Sequence, residues 1–180
     1  MQASLDNYAA GAGLATDLVN STPGVWHGND QLADLAALGA FLAGHDLHDE
    51  TPTDADLDAV HALRPRLRAV IDLRDPAAIT TAAAALTGAA GGLTLADRHW
   101  CVVARPGATL PDRLALLSGV GVLGAVRALG SERFRDCASG TCSGAFIDTS
   151  RPGRRRYCMP DLCGNRANVA AYRERRRAGN

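Results

Sequence analysis

The sequence has 180 residues, with 19 basic and 19 acidic side chains, so its formal net charge is zero. This length allows one domain of moderate size, or a larger domain with a small appendage. Alanine accounts for 34 residues and aromatic side chains for only 4%, which favours closely packed helices over a sandwich of aromatic-rich strands. Taken alone, a neutral chain argues against nucleic acid as a partner.

The neutral total is a cancellation between two segments of opposite charge. Residues 1–132 contain 8 arginines and 15 acidic residues, a net charge of −7, whereas residues 133–180 contain 11 arginines and 4 acidic residues, a net charge of +7. Such asymmetry is typical of proteins that bind nucleic acid or another acidic surface. We therefore expect an N-terminal domain over 1–132 and a basic C-terminal unit over 133–180.

The sequence also indicates the compartment. Its first residues lack the basic segment of a secretory signal and include two acidic residues, Asp6 and Asp17. The longest strongly apolar run, 114–126, is too short to span a bilayer. Five cysteines, an odd number, fit poorly with a secreted disulfide framework. We expect a soluble, cytoplasmic protein without a membrane partner.

The first half of the chain is predicted to be helical. A short apolar turn is expected at 14–20, followed by a helix that Asp30 caps. Thr53 and Asp56 form a capping-box pattern at the start of the next helix. Pro65 is expected to kink that helix or to divide it into two.

A β-hairpin is predicted between the last two helices of the N-terminal domain. Asp75-Pro76 begins a helix that ends near Gly88, and short β-favouring runs then flank Asp97-Arg98. Pro111 opens the final helix, which ends near residue 130. Three glycines lie inside it: Gly119, Gly121 and Gly124. Each lowers helix propensity by about 1 kcal/mol unless it permits close helix packing.

The strongest chemical signal is a set of four cysteines in two pairs. Each pair has four residues between its members, and fifteen residues separate the pairs; the cysteines are Cys137, Cys142, Cys158 and Cys163. This spacing favours one structural Zn²⁺ with four thiolate ligands and no open position for a substrate. The alternative is two redox-active or incidental cysteine pairs. Because 133–163 has few large apolar residues, we expect zinc binding and folding of this segment to be coupled.

This region resembles the CGNR zinc finger. The motif consists of Cys163, Gly164, Asn165 and Arg166, and the stretch at 146–151 before the second cysteine pair also matches that family. Tyr157 stands where the family usually has tryptophan, and Asn168 where lysine is usual. The upstream segment LATDLVNSTPG and the Leu-rich helix after it are similar to a helical domain that is described as a stress-induced transcription regulator.

The resemblance implies a DNA-binding regulator of transcription in the stress response. The expected fold is mainly α: a helical N-terminal domain with one β-hairpin, then a small four-cysteine zinc finger and a basic helix. The helical domain would sense a small effector or form a homodimer. The alternative is a zinc-stabilised protein-interaction or RNA-binding module. We expect no enzymatic activity, because the strong metal site is coordinatively closed.

Two arginine clusters flank the second cysteine pair and are the predicted contacts to double-stranded DNA. They comprise Arg154, Arg155, Arg156, Arg166, Arg173, Arg176 and Arg177. The guanidinium fork binds phosphate oxygens or a guanine edge in bidentate fashion. Alternatively, the tail pairs with an acidic protein surface, including the acidic N-terminal domain. Asn165 either caps backbone amides or reads an adenine edge, and Arg166 either contacts nucleic acid or bridges to Asp148 or Asp161.

A polar cluster near the N-terminus is a candidate ligand pocket. It comprises Asp17, Asn20, Trp26 and His27. The alternative is that these side chains cap a helix and close a loop. A second metal site formed by His27, His45, His48 and His61 is a weaker hypothesis, because the 45–50 segment has the composition of a solvated loop.

Overall fold

The computed structural model describes residues 2–48, 50–165, 168–169 and 175–176. The helices are α1 (Tyr8–Asn20), α2 (Leu35–Gly44), α3 (Asp54–Ile71), α4 (Pro76–Leu86) and α5 (Leu110–Leu129). The strands are β1 (Gln2–Ser4), β2 (Ala90–Ala96), β3 (His99–Ala104), β4 (Phe134–Asp136) and β5 (Ala145–Ile147). The predicted class, mainly α with a hairpin and a C-terminal four-cysteine unit, is confirmed. The basic helix predicted after Cys163 lies largely outside the described residues.

Helix α5 packs against α1 at backbone contact distance. A Cβ atom added to Gly121 would lie 2.3 Å from the backbone nitrogen of Ala12 and 2.3 Å from the carbonyl carbon of Gly11. Any side chain at this position would therefore push the two helices apart. Close packing explains why glycines are present inside α5 in spite of their low helix propensity.

The helix starts follow local side-chain chemistry. Both Thr53 and Thr109 form capping boxes, with Asp56 and Asp112 respectively. The Asp75 carboxylate accepts a hydrogen bond from the Ala78 amide at the start of α4. The predictions at Thr53 and Asp75 are therefore confirmed.

Two predictions about helices are wrong, and a third is narrowed. Helix α1 has 13 residues rather than one apolar turn. Asp34 caps α2, because Asp30 instead pairs with Arg64 and accepts a hydrogen bond from the Leu32 amide. At Pro65, where a kink or a division was expected, α3 is not divided, since its buried side chains before and after the proline pack into the same core.

The predicted β-hairpin is present and gains a third strand. Asp97 and Arg98 form its turn with positive φ angles of 47° and 68°, and Leu95 lies opposite Trp100. Strand β1 pairs antiparallel with β3, which gives the strand order β1-β3-β2. Strand β1 was not predicted, because three residues are too few to show an alternating pattern.

The second sheet, β4–β5, belongs to the main hydrophobic core. Phe134, Ala145 and Ile147 are buried in the same cluster as the apolar side chains of α1, α3 and α5. The predicted boundary at residue 132 thus falls between two segments that share one core. In the described part of the chain, no helix combines the length and apolar character that crossing a membrane requires.

Candidate metal centre and adjoining cleft

The four predicted cysteines come together at one point. Cys137 follows β4, Cys142 precedes β5, and Cys163 lies in a short π-helical turn, Pro160–Gly164. All four Sγ atoms lie within 4.8 Å of one another, and the Cys142–Cys158 and Cys158–Cys163 distances are 3.6 and 3.7 Å. Four thiolates around zinc, each about 2.3 Å from the ion, are about 3.8 Å apart in a tetrahedron. The geometry therefore fits one zinc ion.

The thiols differ in their electrostatic environment. Burial raises the pKa of the Cys163 thiol to about 11. Burial, and then the negative charges of Cys142 and Cys137, raise the pKa of Cys158 further. At Cys137, hydrogen bonds from the backbone outweigh burial and lower the pKa. Four neighbouring thiolates need a cation to offset their mutual repulsion, and zinc supplies it.

The N-terminal domain closes this metal centre. Val25 and Trp26, from the loop after α1, pack in one apolar cluster with Phe146, Cys158 and Cys163. The finger therefore has few apolar residues of its own and completes its small core with this loop. Four thiolate ligands complete the tetrahedral coordination that zinc prefers, which is the arrangement of a structural site.

Polar side chains of α1 bind the backbone of β5. The Asn20 amide donates to the Ala145 carbonyl (2.7 Å) and accepts from the Ala145 amide (3.1 Å). Thr16 Oγ1 accepts a hydrogen bond from the Ile147 amide. A Cβ atom at Gly144 would lie 2.6 Å from both Asn20 Oδ1 and Cys158 Sγ. Helix α1, strand β5 and the metal centre are therefore in direct contact.

The FIDTSR stretch at 146–151 organises the loop between the cysteine pairs. Asp148 is fully buried, and its carboxylate accepts hydrogen bonds from Ser150, from the Arg155 amide and from the Arg135 guanidinium. Burial opposes its ionisation, but hydrogen bonds from Ser150 and Arg155 outweigh that effect and lower the pKa of Asp148. The carboxylate thus holds the loop in place and is not available to a ligand.

The arginines predicted to contact DNA differ in their exposure and in their contacts. Arg154, Arg156 and Arg176 are exposed. The Arg155 guanidinium instead donates to the carbonyls of Tyr157 and Cys158 and lies 4.8 Å from the centroid of the Phe146 ring. The remaining predicted contacts, Arg166, Arg173 and Arg177, lie outside the described residues.

Asn165 is exposed next to the metal centre. Its amide nitrogen donates to the Asp161 carbonyl at 2.5 Å, a contact within the turn that carries Cys163. This contact is not the predicted capping of backbone amides, because the side chain donates to a carbonyl; it closes the turn locally.

A cleft of about 360 Å³ adjoins the finger. It brings together three of the four residues of the predicted pocket, namely Asp17, Asn20 and Trp26. His27 does not line it: this residue is exposed, with a φ angle of 55° in the loop. His45 lies there instead, with its Nε2 atom 3.4 Å from the Asp17 carboxylate. No local pattern favours His45 over His27, since His45 reaches the cleft from the end of α2 through tertiary packing.

Burial affects both members of the Asp17–His45 pair. It raises the pKa of Asp17, against the attraction of His45 and Arg155, and it lowers the pKa of His45, against the attraction of Asp17 and Asp46. The histidines of the weaker metal hypothesis do not form a cluster. Within the described ranges, the four cysteines are the only group with metal-ligand geometry.

A larger cavity, of about 570 Å³, lies between the hairpin and α5. Its walls include Leu5, Trp100, Val102 and Leu123. This cavity has no signal in the sequence, because its residues come from three distant segments with ordinary core-like composition.

These features define a small zinc-finger protein with a helical N-terminal domain, and two protein families match the chain accordingly. The ABATE family, described as a putative stress-induced transcription regulator, matches residues 12–132, and the CGNR zinc finger matches residues 133–176. The chain therefore belongs to the ABATE family and carries a CGNR zinc finger. Neither description names an enzymatic activity. A comparison with curated proteins finds no match.

Proposed function

We propose that this protein is a transcription regulator that binds double-stranded DNA through its zinc finger and the basic segment that follows. The observation that carries the proposal is the exposure of arginines on the finger, at Arg151, Arg154 and Arg156. Arg151 and Arg154 have no ion-pair or hydrogen-bond partner for their guanidinium groups among the described residues, so these groups are available to phosphates. Family membership supports the regulatory role.

The proposed contacts differ from the full set of predicted arginines in two respects. Arg151, which is exposed on the finger, is added. Arg155 is left out, because its guanidinium already has partners inside the finger. We infer that it positions the second cysteine pair and the loop before it. Arg166, Arg173, Arg176 and Arg177 remain predicted contacts.

The experiment is a salt series of binding to duplex DNA, measured by fluorescence anisotropy with the zinc-loaded protein. If about six phosphates are contacted, the slope of log K against log salt is about −5. Replacing Arg154 and Arg156 by alanine should reduce the steepness of that slope by about 2 and weaken binding to all sequences alike. Arg127→Ala, which removes one exposed arginine from α5, is the matched control and should leave the slope unchanged.

Two results would contradict the proposal. One is the absence of binding at about 50 mM salt. The other is equal loss of affinity in the finger variant and the Arg127→Ala control. Tighter binding to single-stranded RNA than to duplex DNA would favour the alternative of an RNA-binding module.

The cleft beside the finger is proposed as the effector site. The proposal is supported by its volume and by its mixture of aromatic and polar side chains, which is typical of small-molecule sites. A cytoplasmic location and association into a homodimer stay predictions.

A further inference from the structure

The walls of the 360 Å³ cleft come from both parts of the chain. Helix α1 contributes Asp17 and Asn20, α2 contributes Phe41, and the finger contributes Met159. Met159 follows the zinc ligand Cys158 directly in sequence. Trp26 lines the cleft and also packs in the apolar cluster that contains the four cysteines. A molecule bound in the cleft therefore touches side chains that cover the metal centre.

A second set of contacts joins the cleft to the metal centre through the backbone. Asn20 lines the cleft and binds both polar backbone atoms of Ala145. A Cβ atom added to the preceding residue, Gly144, would lie 2.6 Å from both Asn20 Oδ1 and Cys158 Sγ, and the Gly144 amide donates to Cys142 Sγ at 3.3 Å. Displacement of Asn20 would thus be transmitted to the thiolates across one peptide unit, because there is no free space at Gly144 to absorb it.

The side chains of the cleft define the chemistry of its ligand. Trp26 and Phe41 offer aromatic surfaces on which a planar ring can stack. The Asp17 carboxylate is half exposed, and its ion-pair partner among the described residues is His45 at 3.4 Å. This carboxylate retains lone pairs that can accept a hydrogen bond from a ligand. Arg155 adds positive potential near Asp17, which favours a neutral donor over a strongly cationic one.

We propose that the cleft binds a small planar aromatic molecule that donates an N–H to Asp17, and that this binding slows the loss of zinc from the finger. The inference rests on the proposed regulatory function, for which it supplies the effector class and the route to the finger. Because binding and zinc retention are linked equilibria, zinc raises the affinity for the ligand by the same factor as the ligand raises the affinity for zinc.

Benzimidazole and benzoxazole are the probes, because the two bicyclic rings have nearly the same shape and only benzimidazole has an N–H. Binding to the zinc-loaded full chain is followed by the two tryptophan indole N–H signals in NMR. The Trp26 indole donates to the Asn20 carbonyl at 2.8 Å, so its signal reports on the cleft. Trp100 lines the larger cavity beside the hairpin and serves as an internal reference.

We expect benzimidazole to shift the Trp26 signal and to leave that of Trp100 in place. Benzoxazole should bind about fivefold more weakly, since it lacks the hydrogen bond to Asp17. Asp17→Leu should abolish this difference between the probes. Asp58→Leu, at an exposed position on α3, is the matched control and should preserve it.

Zinc retention is measured as the rate at which a chelator extracts the metal. Saturating benzimidazole should slow extraction about fivefold in the wild-type protein, and Asp17→Leu should need about five times more probe for the same slowing, because it has lost one hydrogen bond to the probe. Equal affinity for the two probes, a shift of the Trp100 signal instead of the Trp26 signal, or an unchanged extraction rate would each overturn the inference. DNA affinity is measured separately without a probe, so that the absence of DNA binding can be distinguished from the absence of probe binding in the cleft.

Discussion

The two antiparallel sheets of this protein differ in how deeply their side chains are buried. In β4–β5, Phe134 and all three residues of β5 are buried, and side chains of α1 bind the backbone of β5. In the three-stranded sheet, Leu93, Leu95 and Trp100 are 65%, 61% and 56% exposed, and β2 forms an outer edge. The smaller sheet is thus the more firmly integrated one. Side chains of the neighbouring domain, not strand length, make it part of the fold.

The largest expected effect comes from breaking the metal centre. Cys158→Ser should abolish stoichiometric zinc binding, because a tetrahedral structural site needs all four ligands. Metal binding is worth several kcal/mol to folding, and about 3 °C is lost per kcal/mol in a domain of this size, so the unfolding midpoint should fall by about 10 °C or more. Hydrogen exchange should show lost protection in β4–β5 and retained protection in β2–β3.

Cys101→Ser is the matched control, since Cys101 is a buried thiol in β3, outside the metal cluster. It should keep one zinc per chain. If hydrogen exchange in Cys158→Ser is fastest in β2–β3 and unchanged in β4–β5, the contrast between the sheets is incorrect.

The next effect tests the close contact at Gly144. Gly144→Ala should lower the free energy of unfolding by about 2–3 kcal/mol, because the added methyl group meets Asn20 Oδ1 and Cys158 Sγ at 2.6 Å. Gly140→Ala is the control, since a Cβ atom there meets nothing within 4 Å. Urea unfolding of the two variants measures the difference. Equal stabilities would show that α1 and the metal centre are not held at contact distance.

Whether a feature can be predicted from the sequence depends on how far apart in the chain the interacting residues lie. The capping box at Thr53, the Asp97-Arg98 turn and the cysteine spacing depend on residues close together in the chain, and the structure agrees with each of these predictions. The contact of Asn20 with Ala145 spans 125 residues, and no local pattern marks it. Asp30 is a second example. Its sequence context is that of a helix cap, but its carboxylate forms an ion pair with Arg64 from α3 instead.

The same difference between local and long-range contacts applies to the candidate site. Three pocket residues were found because they are close in sequence and lie around the end of α1, whereas His45 and Met159 reach the cleft through tertiary packing. Arg155 could not be distinguished from its neighbours by composition. Alternation along the loop points its guanidinium inward, toward Phe146, while Arg154 and Arg156 remain exposed.

A smaller effect concerns the loop that connects the two regions. Arg64 is buried, pairs with Asp30 at 2.8 Å and also donates to Ser21 Oγ, so it fixes the loop that carries Trp26 over the metal centre. The hydrogen bond from Arg64 lowers the pKa of Asp30 below its usual range. The stabilisation is therefore fully present above a pH of about 4 and is lost as the pH falls through the pKa of the folded state.

Asp30→Asn should accordingly lower the free energy of unfolding by about 2 kcal/mol at pH 7. This difference in free energy from the wild-type protein should shrink below a pH of about 4. Asp72→Asn removes a more exposed carboxylate that pairs with Arg68 four residues away, and it should cost about 0.5 kcal/mol. Urea unfolding at several pH values measures both. A pH-independent difference for Asp30→Asn would contradict the assignment.

The smallest effect is expected at the exposed sheet. Leu95→Ala should change the free energy of unfolding by less than about 0.5 kcal/mol, because its side chain is 61% exposed and has little packing to lose. Ile147→Ala, at a buried position of β5, should cost about 2–4 kcal/mol. Measuring the free energy of unfolding of both variants at two protein concentrations tests the contrast between the two sheets directly. A concentration-dependent loss above about 1 kcal/mol in Leu95→Ala would show that another chain covers the hairpin, since only burial makes that leucine energetically important.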